Sequence, residues 1–176
     1  NTLLWSMPRR RLDWEAMRDS LLAAAGMLDL TQGGPSVDVL SPPFAPRRSV
    51  YGFIDRQNLA AELRTFDFAL PDASTPQRHQ TTVPQQALFW LNSPFMRQQI
   101  RALAQRTVAS ASANTDRIDF TYRLLFGRSA SPEENALAQS FLTSANQADR
   151  ADEKVLTRWE ELLQVLLLTN EFVFID

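Results

Sequence analysis

The chain has 176 residues, 44% of them hydrophobic and 22% charged, with a formal net charge of -2. A chain of this size buries about two-thirds of its unfolded surface in a single core, and so balanced a charge creates no field to attract nucleic acid or an anionic membrane. With no cysteine, disulfides, thiolate nucleophiles, c-type haem attachment and cysteine zinc sites are all excluded.

The positive charge is nearly all arginine, with Lys154 the only lysine. That bias reads first as GC-rich codon usage and second as a demand for planar, forked donors that lock onto carboxylates. No run of roughly 18 apolar residues occurs, so no membrane span is expected. Asn1-Thr2-Leu3-Leu4-Trp5 is neither a start methionine nor a signal peptide, and the chain is expected to be part of something longer.

In chain order, Leu12, Met17, Leu21, Ala24, Ala25 and Leu28 fall on one helical face and predict a helix over 12–28, stopped by Gly33-Gly34-Pro35. Pro35, Pro42, Pro43 and Pro46 impose an extended loop. Arg48 to Ile54 favours a short strand or extended segment, and with no obvious second strand it is not expected to nucleate a sheet. A helix over 57–66 buries Leu59, Leu63 and Phe66, and a second irregular stretch runs from Asp67 to Thr81. Thr82-Val83-Pro84-Gln85 predicts a helix start with Thr82 as cap, reaching Leu91, and Ser93-Pro94 predicts the next start. A helix through Ile118, Tyr122 and Leu125 ends at Gly127. Ser131-Pro132-Glu133-Glu134 is the clearest start signal, with Leu137, Phe141 and Leu142 expected on its buried face. The last helix is predicted over 152–169, and Phe172 to Ile175 form an apolar tail that needs a groove. The expected fold is therefore all-α: one domain over 1–176, a bundle of about six helices with two long ordered proline-containing loops and at most a minor extended segment.

Several of these patterns together are similar to one family. Arg47-Arg48-Ser49-Val50-Tyr51, Phe66-Asp67-Phe68 with Pro71-Asp72, and Thr81-Thr82-Val83-Pro84-Gln85-Gln86-Ala87-Leu88 with Leu91-Asn92 and Phe95 resemble the planctomycete-specific domain one. Arg11-Leu12 with Glu15, Arg18 and Asp19 add to the likeness, as do Tyr122-Arg123, Gly127-Arg128, Glu133-Glu134 and Thr169-Asn170-Glu171-Phe172. The resemblance implies a domain of unknown function near the C-terminus of large bacterial proteins with cytochrome-c-like segments. It implies export across the inner membrane, a family domain longer on its N-terminal side than this chain, and no reaction. One departure is Ala73-Ser74-Thr75-Pro76, where the family often has a cysteine. Sulfur ligation of metal or haem iron at that loop is thereby excluded.

The candidate site residues lie in and around the two loops. His79, the only histidine, would have to centre any triad with Asp67 or Asp72 as orienter, but no Gly-x-Ser-x-Gly elbow accompanies it. Asp67, Asp72 and Ser74 could offer oxygens to calcium, yet lack the glycine and closing glutamate of an EF-hand. The preferred reading is structural: Arg47, Arg48 and Arg78 pair with these aspartates as buried ion pairs tying the loops to the bundle. Arg9-Arg10-Arg11 reads as a solvated cluster or a link to a preceding segment rather than as a docking patch. Glu133-Glu134, Asp152-Glu153 and Glu160-Glu161 do not make a glycosidase pair, because adjacent acids on a helix point about 100° apart. Trp5, Trp14, Trp90 and Trp159 are expected in the core.

The leading expectation is a non-catalytic structural or interaction module, with no cofactor or metal in this chain. Its partners would be cytochrome-c-like domains of the same polypeptide, which would carry any haem, and its location would be extracytoplasmic. The rival is a ligand-binding or hydrolytic domain for an extracellular anionic polysaccharide, clamped by Arg47, Arg48, Arg78, His79, Asp67 and Asp72.

Overall fold

The computed structural model describes residues 9–144 and 155–175. Eight helices occupy the described residues: α1 (Trp14–Ala25), α2 (Ala61–Thr65), α3 (Pro84–Asn92), α4 (Pro94–Ser110), α5 (Asn114–Phe126), α6 (Pro132–Thr143), α7 (Arg158–Leu167) and α8 (Asn170–Val173). A two-stranded antiparallel ladder, β1 (Arg10–Arg11) with β2 (Phe174–Ile175), joins the two ends of the described chain. The fold is the expected mainly helical bundle, and none of the described helices is long and apolar enough to cross a membrane.

Packing is organised around α4. Met96, Ile100 and Leu103 are buried at the four- and three-residue spacing that lines one helical face, and they meet Trp14, Met17 and Leu21 of α1 and Leu163 and Leu167 of α7 in one cluster. A second, smaller cluster joins Ile118 and Tyr122 of α5, Ala138 of α6, and Leu162 and Leu166 of α7. Because α7 carries apolar residues toward both clusters, its stripe is wide enough to stand between them.

Local signals set several helix ends. Ser131 Oγ accepts from the Glu134 N–H (3.1 Å) while Glu134 accepts from the Ser131 N–H (2.7 Å), the reciprocal box expected there. Thr157 and Glu160 form the same box at the start of α7; Asp152 and Glu153 lie outside the described residues, as does Trp5. Gly127, at φ 70°, closes α5 as predicted. At α1 the stop is Gly26, at φ 73°, and not Gly33-Gly34-Pro35. The Gly26 and Met27 N–H groups fold back onto the carbonyls of Ala23 and Leu22, while the Arg106 guanidinium caps Ala23 (3.1 Å) and Ala24 (2.8 Å).

Further local expectations need correction, among them the last helix, which runs from Arg158 to Leu167 instead of over 152–169. The cap of α3 is Val83, not Thr82: Gln86 reaches back to the Val83 N–H (3.3 Å), one residue later in the chain than the predicted box. Residues 48–54 form no strand. Ser49–Tyr51 is a 3-10 turn, because Val37 and Gly52 offer only an isolated bridge instead of a ladder. The helix predicted over 57–66 shrinks to α2. On α6, Leu137 is 72% exposed, and the buried position is Ala138, which turns toward α5 and α7. The apolar tail behaves as expected of it, with Phe172 buried in the main cluster.

Truncating Leu163 to alanine, at the centre of the main cluster, should cost about 2–5 kcal/mol in urea unfolding. Leu137→Ala, on the outer face, should stay within about 0.5 kcal/mol.

Candidate functional site

Three polar side chains line one edge of α1. Glu15, Arg18 and Asp19 stand three and four residues apart and therefore share a helix face. Arg18 is 0% exposed. Its guanidinium donates to the carbonyls of Arg47 (2.9 Å) and Ala45 and to Ser49 Oγ (3.2 Å), and it lies over the Phe95 ring at 5.2 Å. Burial draws its pKa below the ordinary guanidinium value, with nearby Asp19 acting in the opposite sense. Asp19 Oδ1 accepts from both the N–H (2.8 Å) and the Oγ (2.7 Å) of Ser49. The first proline-containing loop is thus fastened to α1 by three donors of one arginine and two acceptor bonds of one aspartate.

Glu15 fastens the second loop. Both of its oxygens accept from Arg78, at 3.0 and 2.7 Å, and the Arg78 guanidinium also lies over Phe68 at 4.6 Å. These hydrogen bonds raise the pKa of Arg78 against the opposing effect of burial. Both loops therefore depend on the same helix edge.

The six sequence-derived candidates fall into separate settings. Arg47 folds its own loop: it donates to the carbonyls of Thr31 (3.2 Å), Gly33 and Pro35 (3.1 Å) and lies over Tyr51 at 4.1 Å. Gly33 and Gly34, at φ 72° and 85°, supply the left-handed backbone by which the loop curls around it. Arg48 approaches Asp19 at 3.5 Å and is 54% exposed. Asp67, itself at φ 58°, accepts from Thr81 N–H (2.8 Å) and Oγ1 (3.0 Å) and so closes the second loop on itself. Asp72 meets Arg56 at 3.8 Å on the surface, and His79 is exposed. The expected pairing of Arg47, Arg48 and Arg78 with Asp67 and Asp72 is therefore replaced: the carboxylate partners of Arg48 and Arg78 come from α1, and Arg47 donates through its two terminal nitrogens to backbone carbonyls. Chain proximity favoured the loop aspartates, whereas helix geometry presents Glu15 and Asp19. Ser74 is exposed, and among the described residues no three of His, Cys, Asp or Glu group as they would around a metal ion.

The remaining motif residues behave alike. Gln86, buried in α3, accepts from Arg11 and donates to the Thr65 carbonyl (2.8 Å), joining β1, α2 and α3. Arg128, after α5, donates to Glu134 (2.7 and 2.8 Å) and to Glu171 (2.7 and 2.8 Å), tying α6 to α8. Those bonds raise the pKa of Arg128 and lower that of Glu134 from 4.5 to about 2, the arginine first and the Ser131 N–H second. Of the tryptophans, Trp14 and Trp90 are buried, and Trp159 donates to Thr107 (2.9 Å).

Arg18→Met should lower stability by about 3 kcal/mol or more, since it strands the buried carbonyls of Ala45 and Arg47, while Arg48→Gln should cost under about 1 kcal/mol; both are read from urea midpoints. On acidification, the contribution of Glu134 is complete above pH 4.5 and is lost as pH falls toward about 2. Across that window the melting temperature of the native chain should fall more steeply than that of Glu134→Gln, measured by circular dichroism.

No curated protein and no solved structure matches the chain. Residues 1–142 match the family PSD1, described as "Protein of unknown function (DUF1553)". These are the residues that hold the α1 edge, both proline-containing loops and the Gln86 junction, and the chain belongs to that family.

Proposed function

We propose that this chain is a non-catalytic structural and interaction module of a larger, exported bacterial envelope protein whose other domains are cytochrome-c-like and carry the haem. The observation that carries the reading is the use made of the motif side chains. Arg18, Arg47, Arg78 and Arg128 are engaged with partners inside the chain, so these side chains serve the fold. A catalytic constellation would instead hold such groups toward a cleft with donors or acceptors to spare. The haem-bearing neighbours and the extracytoplasmic location rest on what the family resemblance implies.

A clamp for anionic polysaccharide would need free guanidinium forks at Arg47, Arg48 and Arg78. Arg47 and Arg78 already spend theirs internally, which supports the scaffold reading over that rival. The chain should accordingly pass through immobilised heparin without retention at about 0.15 M salt, where surface charges more than about 8 Å apart are screened. For the module itself, the parent protein lacking these 176 residues should keep its haem absorbance and recapture the separately expressed chain in a pull-down. Loss of recapture, or hydrolase activity in the chain alone, would overturn the proposal.

A further inference from the structure

Between α3, the end of α7 and the β1–β2 ladder lies an open cavity of ≈ 350 Å³, within the range of roughly 300–1,000 Å³ typical of small-ligand sites. Its walls are chiefly apolar: Met17, Phe66, Trp90, Leu168 and Val173 line it. Leu88 and Leu91 at the same cavity remain 54% and 45% exposed. Apolar surface of this kind is hydrated at a cost that an apolar occupant would relieve.

Among the described residues one charged side chain lines this cavity, and it is Arg11. Its guanidinium, half-buried, has a single partner among the described residues, the amide oxygen of Gln86. That oxygen already accepts from the Val83 N–H (3.3 Å), and the Gln86 nitrogen is committed to Thr65. A neutral, shared amide oxygen does not balance a full positive charge. Elsewhere in the fold Arg18, Arg48, Arg78 and Arg128 each have a carboxylate within ion-pair reach. What sets Arg11 apart from these four is that no carboxylate of the described residues lies within ion-pair reach of it. The side chains of Thr82 and Asn170 also line the cavity and make no hydrogen bond within the described chain.

We propose that this cavity binds an apolar monocarboxylate of the fatty-acid type, its carboxylate on Arg11 and its hydrocarbon against Trp90 and Leu168. A single guanidinium in an apolar wall matches one negative charge on an apolar body. A phosphate or polyanion would bring charge that the lining does not meet, and a neutral hydrocarbon would leave Arg11 uncompensated. The site is distinct from the α1 edge and does not depend on the identity of any neighbouring domain.

Decanoate, titrated into the intact chain below its micellar concentration, should bind at one saturable site, followed by calorimetry and by tryptophan fluorescence. Decanol should bind about tenfold more weakly, the loss expected for one charge-assisted contact. Arg11→Gln should bring decanoate down to the level of decanol, whereas Arg11→Lys, which keeps the charge, should preserve the preference; Ala87→Trp should block both ligands. Circular dichroism confirms that each variant is folded, and the lysine variant decides the matter if the glutamine variant is not. Absence of saturable binding to the folded chain, or equal affinity for decanoate and decanol, would overturn the proposal. So would a dimer dissolved by Leu91→Gln in a chain that binds no decanoate, which would assign the cavity to a second copy.

Discussion

The edge of α1 formed by Glu15, Arg18 and Asp19 is the constraint from which the rest of the architecture follows. Two long stretches of this chain have no regular ladder in which to place their backbone polar groups, and such groups cannot be left buried without partners. A guanidinium offers five donors in a planar fork, and Arg18 spends three of them on the turn that runs from Ala45 to Ser49. Its complete burial is tolerable because the carbonyls it meets need donors as much as it needs acceptors. Asp19 and Glu15 extend the same logic to either side, one holding Ser49 and the other Arg78. With the loops fixed, Val39 and Leu59 can enter the core beside Met17 and Phe95.

This arrangement gives the residue patterns singled out in the sequence a physical meaning. Arg-Leu with Glu15, Arg18 and Asp19, the Arg47-Arg48-Ser49 run, and the Thr-Thr-Val-Pro-Gln-Gln block lie far apart in sequence, yet each supplies one side of a junction between segments. Gln86 is the plainest case: a buried amide whose two ends join three elements. Junctions of this type hold a fold together, and a fold by itself assigns no function.

What could be read from the sequence was what is decided locally. Ser131-Pro132 with Glu134, Ser93-Pro94 and Gly127 set helix ends through neighbours within a turn, so three or four residues sufficed. The partners of the arginines were not legible, because Arg78 and Glu15 lie 63 residues apart and nothing in either segment names the other. Arg47 was further hidden by needing no acid at all: its acceptors are carbonyls, which every residue has. Arg11 read as one of three solvated arginines because the pairing of β1 with β2 rests on two residues a side, too short a pattern to detect. Leu137 shows the converse error, an apolar residue one position around the helix from the buried Ala138.

The choice of arginine over lysine for these junctions has an outcome at the basic end of the pH scale. A guanidinium holds its proton well beyond the range in which an ammonium releases it, and the sequence contains one lysine only. The ion pairs described above therefore have no cationic partner that neutralises in mildly alkaline surroundings. Their tolerance is lopsided, with protonation of the acids as its nearer limit.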